Sequence, residues 1–106
     1  MFDALEMALV VLEKAEPVER AVRSRRKSLA DELGRAAESV ALNLSEGRLR
    51  AGLDRQDLWR RAAGSAAELT TALRIAKARR YADADAITAV EAPLDRVRAM
   101  LWRLTH

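Results

Sequence analysis

The chain has 106 residues, a mass of 11.8 kDa and a formal net charge of +3, from 19 Lys and Arg against 16 Asp and Glu. That length suits a single domain over residues 1–106 and leaves no room for a second core. Cysteine is absent, which excludes a disulfide framework, a thiolate metal site and a Cys nucleophile.

Ala, Leu, Arg and Glu dominate, and all four favour helix. β-Branched residues are scattered, so no segment reads as a strand. The expected fold class is therefore all-α. The segment Met1–Glu6 carries acids where a signal peptide needs bases. The longest apolar stretch, Ala8–Leu12, is too short to span a bilayer. A cytoplasmic protein with no membrane partner is expected.

The first helix is predicted over Asp3–Ala15, with Leu5, Ala8, Leu9, Leu12 and Ala15 on one face. Pro17 should stop or kink it near Glu16. Val18–Lys27 reads as a basic connector, partly helical. The second helix is predicted from Ser28, as its cap, to Glu46. Leu29, Leu33, Ala36, Ala37, Val40 and Leu44 form its apolar face, and Gly47 is a natural residue to follow its end.

Arg48–Leu53 reads as the next loop. Asp54 would cap a third helix whose face is Leu58, Ala62, Ser65, Ala66, Leu69, Leu73 and Ala76. Tyr81–Asp83 makes the last turn, and Asp83 or Asp85 caps a fourth helix that runs to about Leu104. The fourth helix then carries Ile87, Val90, Leu94, Val97, Leu101 and Leu104 at alternating spacings of three and four, a coiled-coil-like seam. Pro93 should kink it. Short loops between helices of similar length favour an up-down antiparallel four-helix bundle. The wide apolar faces suggest that a second copy helps to cover them.

Chemistry is sparse. The single histidine, His106, ends the sequence. No Glu-x-x-His pair, zinc spacing or glycine-rich phosphate loop is present, so no catalytic residue, metal ligand or cofactor is assigned. One polar constellation stands out: Asn43, Glu46 and Gly47 at the end of helix two, and Gly64, Ser65 and Glu68 within helix three. It reads as a satisfied polar network that fixes helix register. Gly64 would permit a close helix contact, and Ser39 and Ser65 suit interhelical hydrogen bonds. A ligand pocket or an oligomer contact are the alternatives. Glu46 and Glu68 could exchange protons, but no nucleophile or electrophile accompanies them.

The aromatics are Phe2, Trp59, Tyr81 and Trp102. Partial burial or a subunit contact is expected of Trp59 and Trp102, with base stacking as the alternative. The charge distribution is more telling than its total. Residues 1–19 hold five acids and one base, whereas Arg20, Arg23, Arg25, Arg26 and Lys27 fall within eight residues. Arg74, Lys77, Arg79 and Arg80 crowd the end of helix three, and Arg48, Arg50 and Arg55 surround the second loop. Solvated surface is the default reading of such clusters. Contact with RNA or DNA is the functional one.

Two stretches carry a resemblance. Leu29–Gly47, with Arg35-Ala36-Ala37-Glu38-Ser39-Val40 leading into Asn43-Leu44-Ser45-Glu46-Gly47, resembles a second-helix signature of the form Arg-Ala-x-x-Ser-Ile followed by Asn-Ile-Ala-Glu-Gly. Ala62–Leu69, followed by Leu73, Ala76 and Tyr81, resembles a third-helix signature, Ala-x-Gly-Ser-x-x-Glu-Leu before a Gly-Tyr turn. Arg80 stands where that turn has glycine. The family is that of the bacterial four-helix-bundle proteins encoded in intervening sequences of large-subunit (23S) rRNA genes. Accessory variability proteins of diversity-generating retroelements look like distant relatives. The resemblance implies a homopentameric ring of up-down bundles. By way of the retroelement proteins, it implies a basic surface for nucleic acid and a reverse transcriptase. A pentamer would carry about +15, five times the +3 of one chain.

The sequence thus leads to a non-enzymatic, homo-oligomeric bundle that binds nucleic acid or a nucleic-acid enzyme. The alternative is an adaptor that docks another protein through an exposed apolar face.

Overall fold

The computed structural model describes residues 3–106. It contains four α-helices: α1 (Asp3–Arg23), α2 (Lys27–Arg48), α3 (Gly52–Arg79) and α4 (Ala84–Thr105). Each helix packs on its sequence neighbours, and α4 closes back on α1. At 1.5 Å per residue the 28 residues of α3 should span about 42 Å. The long dimension of the molecule is 42 Å, against 22 and 20 Å across. No helix among the described residues is long and apolar enough to cross a membrane. Phe2 lies outside the described residues.

The first helix is longer than its sequence suggests. Pro17 lies inside α1, which continues to Arg23, so the predicted connector is largely helix. Pro17 is on the exposed face, where water can take the carbonyl that its missing N–H leaves free. The buried stripe is Ala4, Ala8, Val11, Ala15, Val18 and Val22. It is offset from the predicted face: Leu5 and Leu12 are only partly buried and Leu9 is exposed. Pro93 likewise sits within an uninterrupted α4.

The predicted caps shift as well. Arg26 caps α2 with extended backbone and no side-chain bond, and Ser28 is already inside the helix. Ala51, not Asp54, precedes α3. Asp83 does cap α4, accepting from the Ala86 N–H at 3.2 Å. The three connections are short: residues 24–26, 49–51 and 80–83.

The core is complementary in size. Ten of the small buried positions on α2 and α3 are Ala30, Ala36, Ala37, Ala41, Gly47, Ala62, Ser65, Ala66, Ala72 and Ala76. The helix α4 contributes the larger Ile87, Val90, Leu94, Val97 and Leu101, the predicted seam except for Leu104, which is half-buried. Small residues let the helices approach, and branched ones fill the remaining space.

Gly47 is not the residue that follows a helix end. It lies within α2 and is buried. A Cβ there would come within 2.6 Å of the Trp59 indole. Trp59 is itself buried and donates its indole N–H to the Leu44 carbonyl at 3.3 Å, so the ring cannot easily withdraw. Gly64 is the reverse case. It is exposed, and a Cβ would meet nothing within 4 Å, so no close contact within the chain explains it. Gly47→Ala should therefore destabilise the bundle by about 1–3 kcal/mol through overpacking. Gly64→Ala should stabilise it by up to about 1 kcal/mol through helix propensity. Urea denaturation of the two variants beside the parent checks both signs.

Candidate nucleic-acid interface

The up-down order brings the α1–α2 and α3–α4 connections to one end of the bundle. Two basic clusters far apart in sequence meet there: Arg20, Arg23, Arg25, Arg26 and Lys27 from the first connection, and Arg74, Lys77, Arg79 and Arg80 from the third. Their proximity is direct. The Arg25 guanidinium lies 5.6 Å from the centre of the Tyr81 ring, a cation–π distance. Arg26, Arg79 and Tyr81 line one cleft.

These cations divide into two groups. Four are engaged by acids. Arg20 is held by Glu16, Arg23 by Glu19 and Asp31, Lys27 by Asp31, and Lys77 by Glu91. The Arg23 guanidinium and then the Lys27 ammonium, both hydrogen-bonded to Asp31, hold its carboxyl below the usual range. Asp31, with Glu19 second, raises Arg23 in turn. These pairs are exposed or, at Glu19 and Glu91, half-exposed, so each adds little to stability. The other five, Arg25, Arg26, Arg74, Arg79 and Arg80, have no acidic partner among the described residues.

Arg80 has an unusual backbone. Its φ is 58° and ψ 41°, the left-handed region, and it is the non-glycine residue with positive φ among those described. Its N–H bonds to the Lys77 carbonyl at 3.1 Å and that of Tyr81 to Ala76 at 2.9 Å. This pair of bonds is the Schellman closure of a helix, which glycine ordinarily makes. An arginine there costs about 1–2 kcal/mol relative to an unstrained backbone.

The polar constellation is only partly a network. Ser39 and Ser65 hydroxyls are 2.7 Å apart across α2 and α3, and the Asn43 amide donates to the Ser39 carbonyl and hydroxyl at 2.9 and 3.0 Å. Glu46 and Glu68 do not join it. Both are exposed; Glu46 pairs with Arg50, and Glu68 with Arg35, which also holds Glu32. The reason is helical phase: each glutamate projects from the outer surface of its helix. The two carboxylates share no site, and no group of three or more His, Asp or Glu among the described residues could hold a metal.

At the opposite end, Arg55 donates to the carbonyls of Gly47 and Arg48 and lies 5.3 Å from the Trp59 ring. It closes the end of α2. Gln56 ties the start of α3 to the Leu104 carbonyl of α4 at 3.0 Å. Trp102 is 60 % exposed and carries the His106 ring against it, whereas Trp59 is core. Sequence reasoning missed Asp31 as the acid shared by Arg23 and Lys27, and Arg35 as the clamp on Glu32 and Glu68. The i,i+4 spacing of Asp31 from Lys27 and the i,i+3 spacing of Arg35 from Glu32 were the available signal.

A family model for the 23S rRNA-intervening sequence protein matches residues 3–103. The chain is also similar in fold to the crystal structure of a protein of unknown function from the S23 ribosomal protein family of Bacteroides thetaiotaomicron. The TM-score is 0.87 over 96 % of this chain and 97 % of that one, at 12 % identity. No curated protein matches significantly. Neither likeness extends to the retroelement accessory proteins.

Arg80→Gly should raise stability by roughly 0.5–1 kcal/mol, the relieved strain less the entropy of the freer unfolded chain; thermal unfolding measures it. Asp31 has a folded-state pKa below its unfolded one. Its contribution is therefore present above the unfolded value and is lost as pH falls through the depressed one. Asp31→Asn should remove that part of the acid dependence, read as a smaller stability loss on acidification than the parent shows.

Proposed function

The chain belongs to the 23S rRNA-intervening sequence protein family, and from that premise we propose that it is a non-enzymatic bundle whose basic end binds nucleic acid. The convergence of Arg25, Arg26, Arg79 and Arg80, without acidic partners, at one end of the bundle carries this reading. Guanidinium groups suit phosphate oxygens through their planar fork of donors. Arg80 adds weight, because a strained non-glycine residue in a functional surface is more readily understood than one in an idle turn. The family is named for 23S rRNA intervening sequences and the structural neighbour belongs to an S23 ribosomal protein family, which makes 23S rRNA fragments the first probes to use.

The same reading includes self-association. Leu42, Leu49 and Leu53 are 68, 83 and 85 % exposed, and Trp102 is 60 % exposed. Large apolar side chains this open favour further protein contact. A homopentamer, the state the family resemblance implies, would gather five basic ends on one particle. Light scattering should then give about five times the 11.8 kDa of the chain; a monomer at micromolar concentration would contradict it. The alternative, an adaptor for a different protein, draws on the same exposed residues. A reverse-transcriptase partner rests on the retroelement resemblance alone.

Binding through the five arginines that have no acidic partner among the described residues should be strongly salt-dependent. For single-stranded nucleic acid the affinity should fall by about 3–4 log units per tenfold rise in salt if all five contact phosphate. Joint Arg26→Glu and Arg79→Glu should abolish binding at low salt, and Arg60→Glu with Arg61→Glu, near the other end, should leave most of it. Loss of binding from the second pair alone would relocate the site. Arg80→Gly should weaken binding even as it stabilises the fold.

A further inference from the structure

Beside the basic end, the outer seam between α2 and α3 opens into a cleft of about 320 Å³. Leu29 and Ile75 give it an apolar floor, and Ile75 remains 43 % exposed. Arg26 and Arg79 line the same cleft, and neither has an acidic partner among the described residues. Tyr81 lines it as well and is half-buried. Glu32 is the one acid in the lining, and Arg35 holds it at 2.6 Å.

We infer that this cleft receives one unpaired base of a single-stranded nucleic acid, with the flanking phosphates on Arg26 and Arg79. The inference rests on the reading of the basic end as a nucleic-acid surface and adds which kind. A duplex offers that surface only phosphates and sugars, because its base faces are stacked inside. An apolar floor contributes nothing to such contacts. An unstacked base has two open faces, which apolar, tyrosine and guanidinium surfaces cover well. The cleft combines all three between two free cations.

The seam itself limits the site to one base. Past Leu29, Glu32 and Ile75 it continues into a second hollow beside Gly64 and Glu68. There Arg35 is already shared between Glu32 and Glu68, so the charge no longer favours phosphate. The attractive track ends at that bridge.

Fluorescence anisotropy at low salt tests this with a short unstructured RNA and an RNA duplex of equal length. The parent should bind the single strand about 5-fold tighter or more. Ile75→Ser removes the floor without changing charge, at a position exposed enough to keep the fold, which circular dichroism checks. It should cost the single strand about 5-fold and leave the duplex within about 2-fold. Equal binding of both RNAs, or an unchanged single-strand affinity in Ile75→Ser, overturns the inference. If the Arg26→Glu and Arg79→Glu pair still abolishes binding, the basic end stands without its base cleft. No binding of either RNA at low salt removes both. A fall in the particle mass of Ile75→Ser would show that a second copy covers the cleft, which also overturns the inference.

Discussion

The short connections govern the rest of this molecule. Three or four residues reach at most about 14 Å, far less than the 42 Å length of the bundle. Each helix must therefore reverse and lie against the one before it. The first and third connections are then forced to the same end and the second to the other. Arg20–Lys27 and Arg74–Arg80 have no sequence relation, yet this constraint makes them one surface. It also sets Arg48, Arg50 and Arg55 apart, and Arg55 there serves the end of α2 rather than a ligand.

Packing holds those reversals in place. The alanine-rich faces of α2 and α3 let backbones approach, and the branched seam of α4 fills the gap. Two specific contacts tie α2 to α3: the Trp59 ring lies against Gly47, and the Ser39 and Ser65 hydroxyls meet at 2.7 Å. Such contacts fix the relative height of two helices, which an alanine surface alone leaves loosely specified. The polar motif that draws attention in the sequence is thus divided. Gly47 and Ser65 belong to the α2–α3 contact, Asn43 braces Ser39 from within α2, and Glu46 and Glu68 belong to solvent and to salt bridges.

Four helices, their order and the seam of α4 were legible in the sequence because those signals are local and periodic. The phase of α1 was not. Ala8-Leu9-Val10-Val11-Leu12 is apolar all round, and only the neighbouring helices decide that Ala8 and Val11 face inward. Pro17 read as a break because its cost is intrinsic, whereas its tolerance depends on which face meets water. Gly47 and Gly64 look alike in sequence and differ only in what lies beside them. The basic clusters were legible as clusters, but not as one surface. The i,i+4 spacings of Glu16 and Arg20, Glu19 and Arg23, and Lys27 and Asp31 offered a local signal for three of their ion pairs, whereas Arg23–Asp31 and Lys77–Glu91 depend on how the helices meet. The apolar floor at Leu29 and Ile75 gave no local signal either, because it exists only where two helices diverge.

Under the proposed function, nucleic acid meets the end of the bundle where residues 20–27 and 74–82 converge. Amide chemical-shift mapping by NMR, with a short single-stranded RNA titrated into the isotope-labelled protein at low salt, tests this most directly. The account predicts that the largest shifts fall in those two segments together, with residues 48–55 at the opposite end unmoved. Shifts centred on residues 48–55, or confined to only one of the two converging segments, would contradict it.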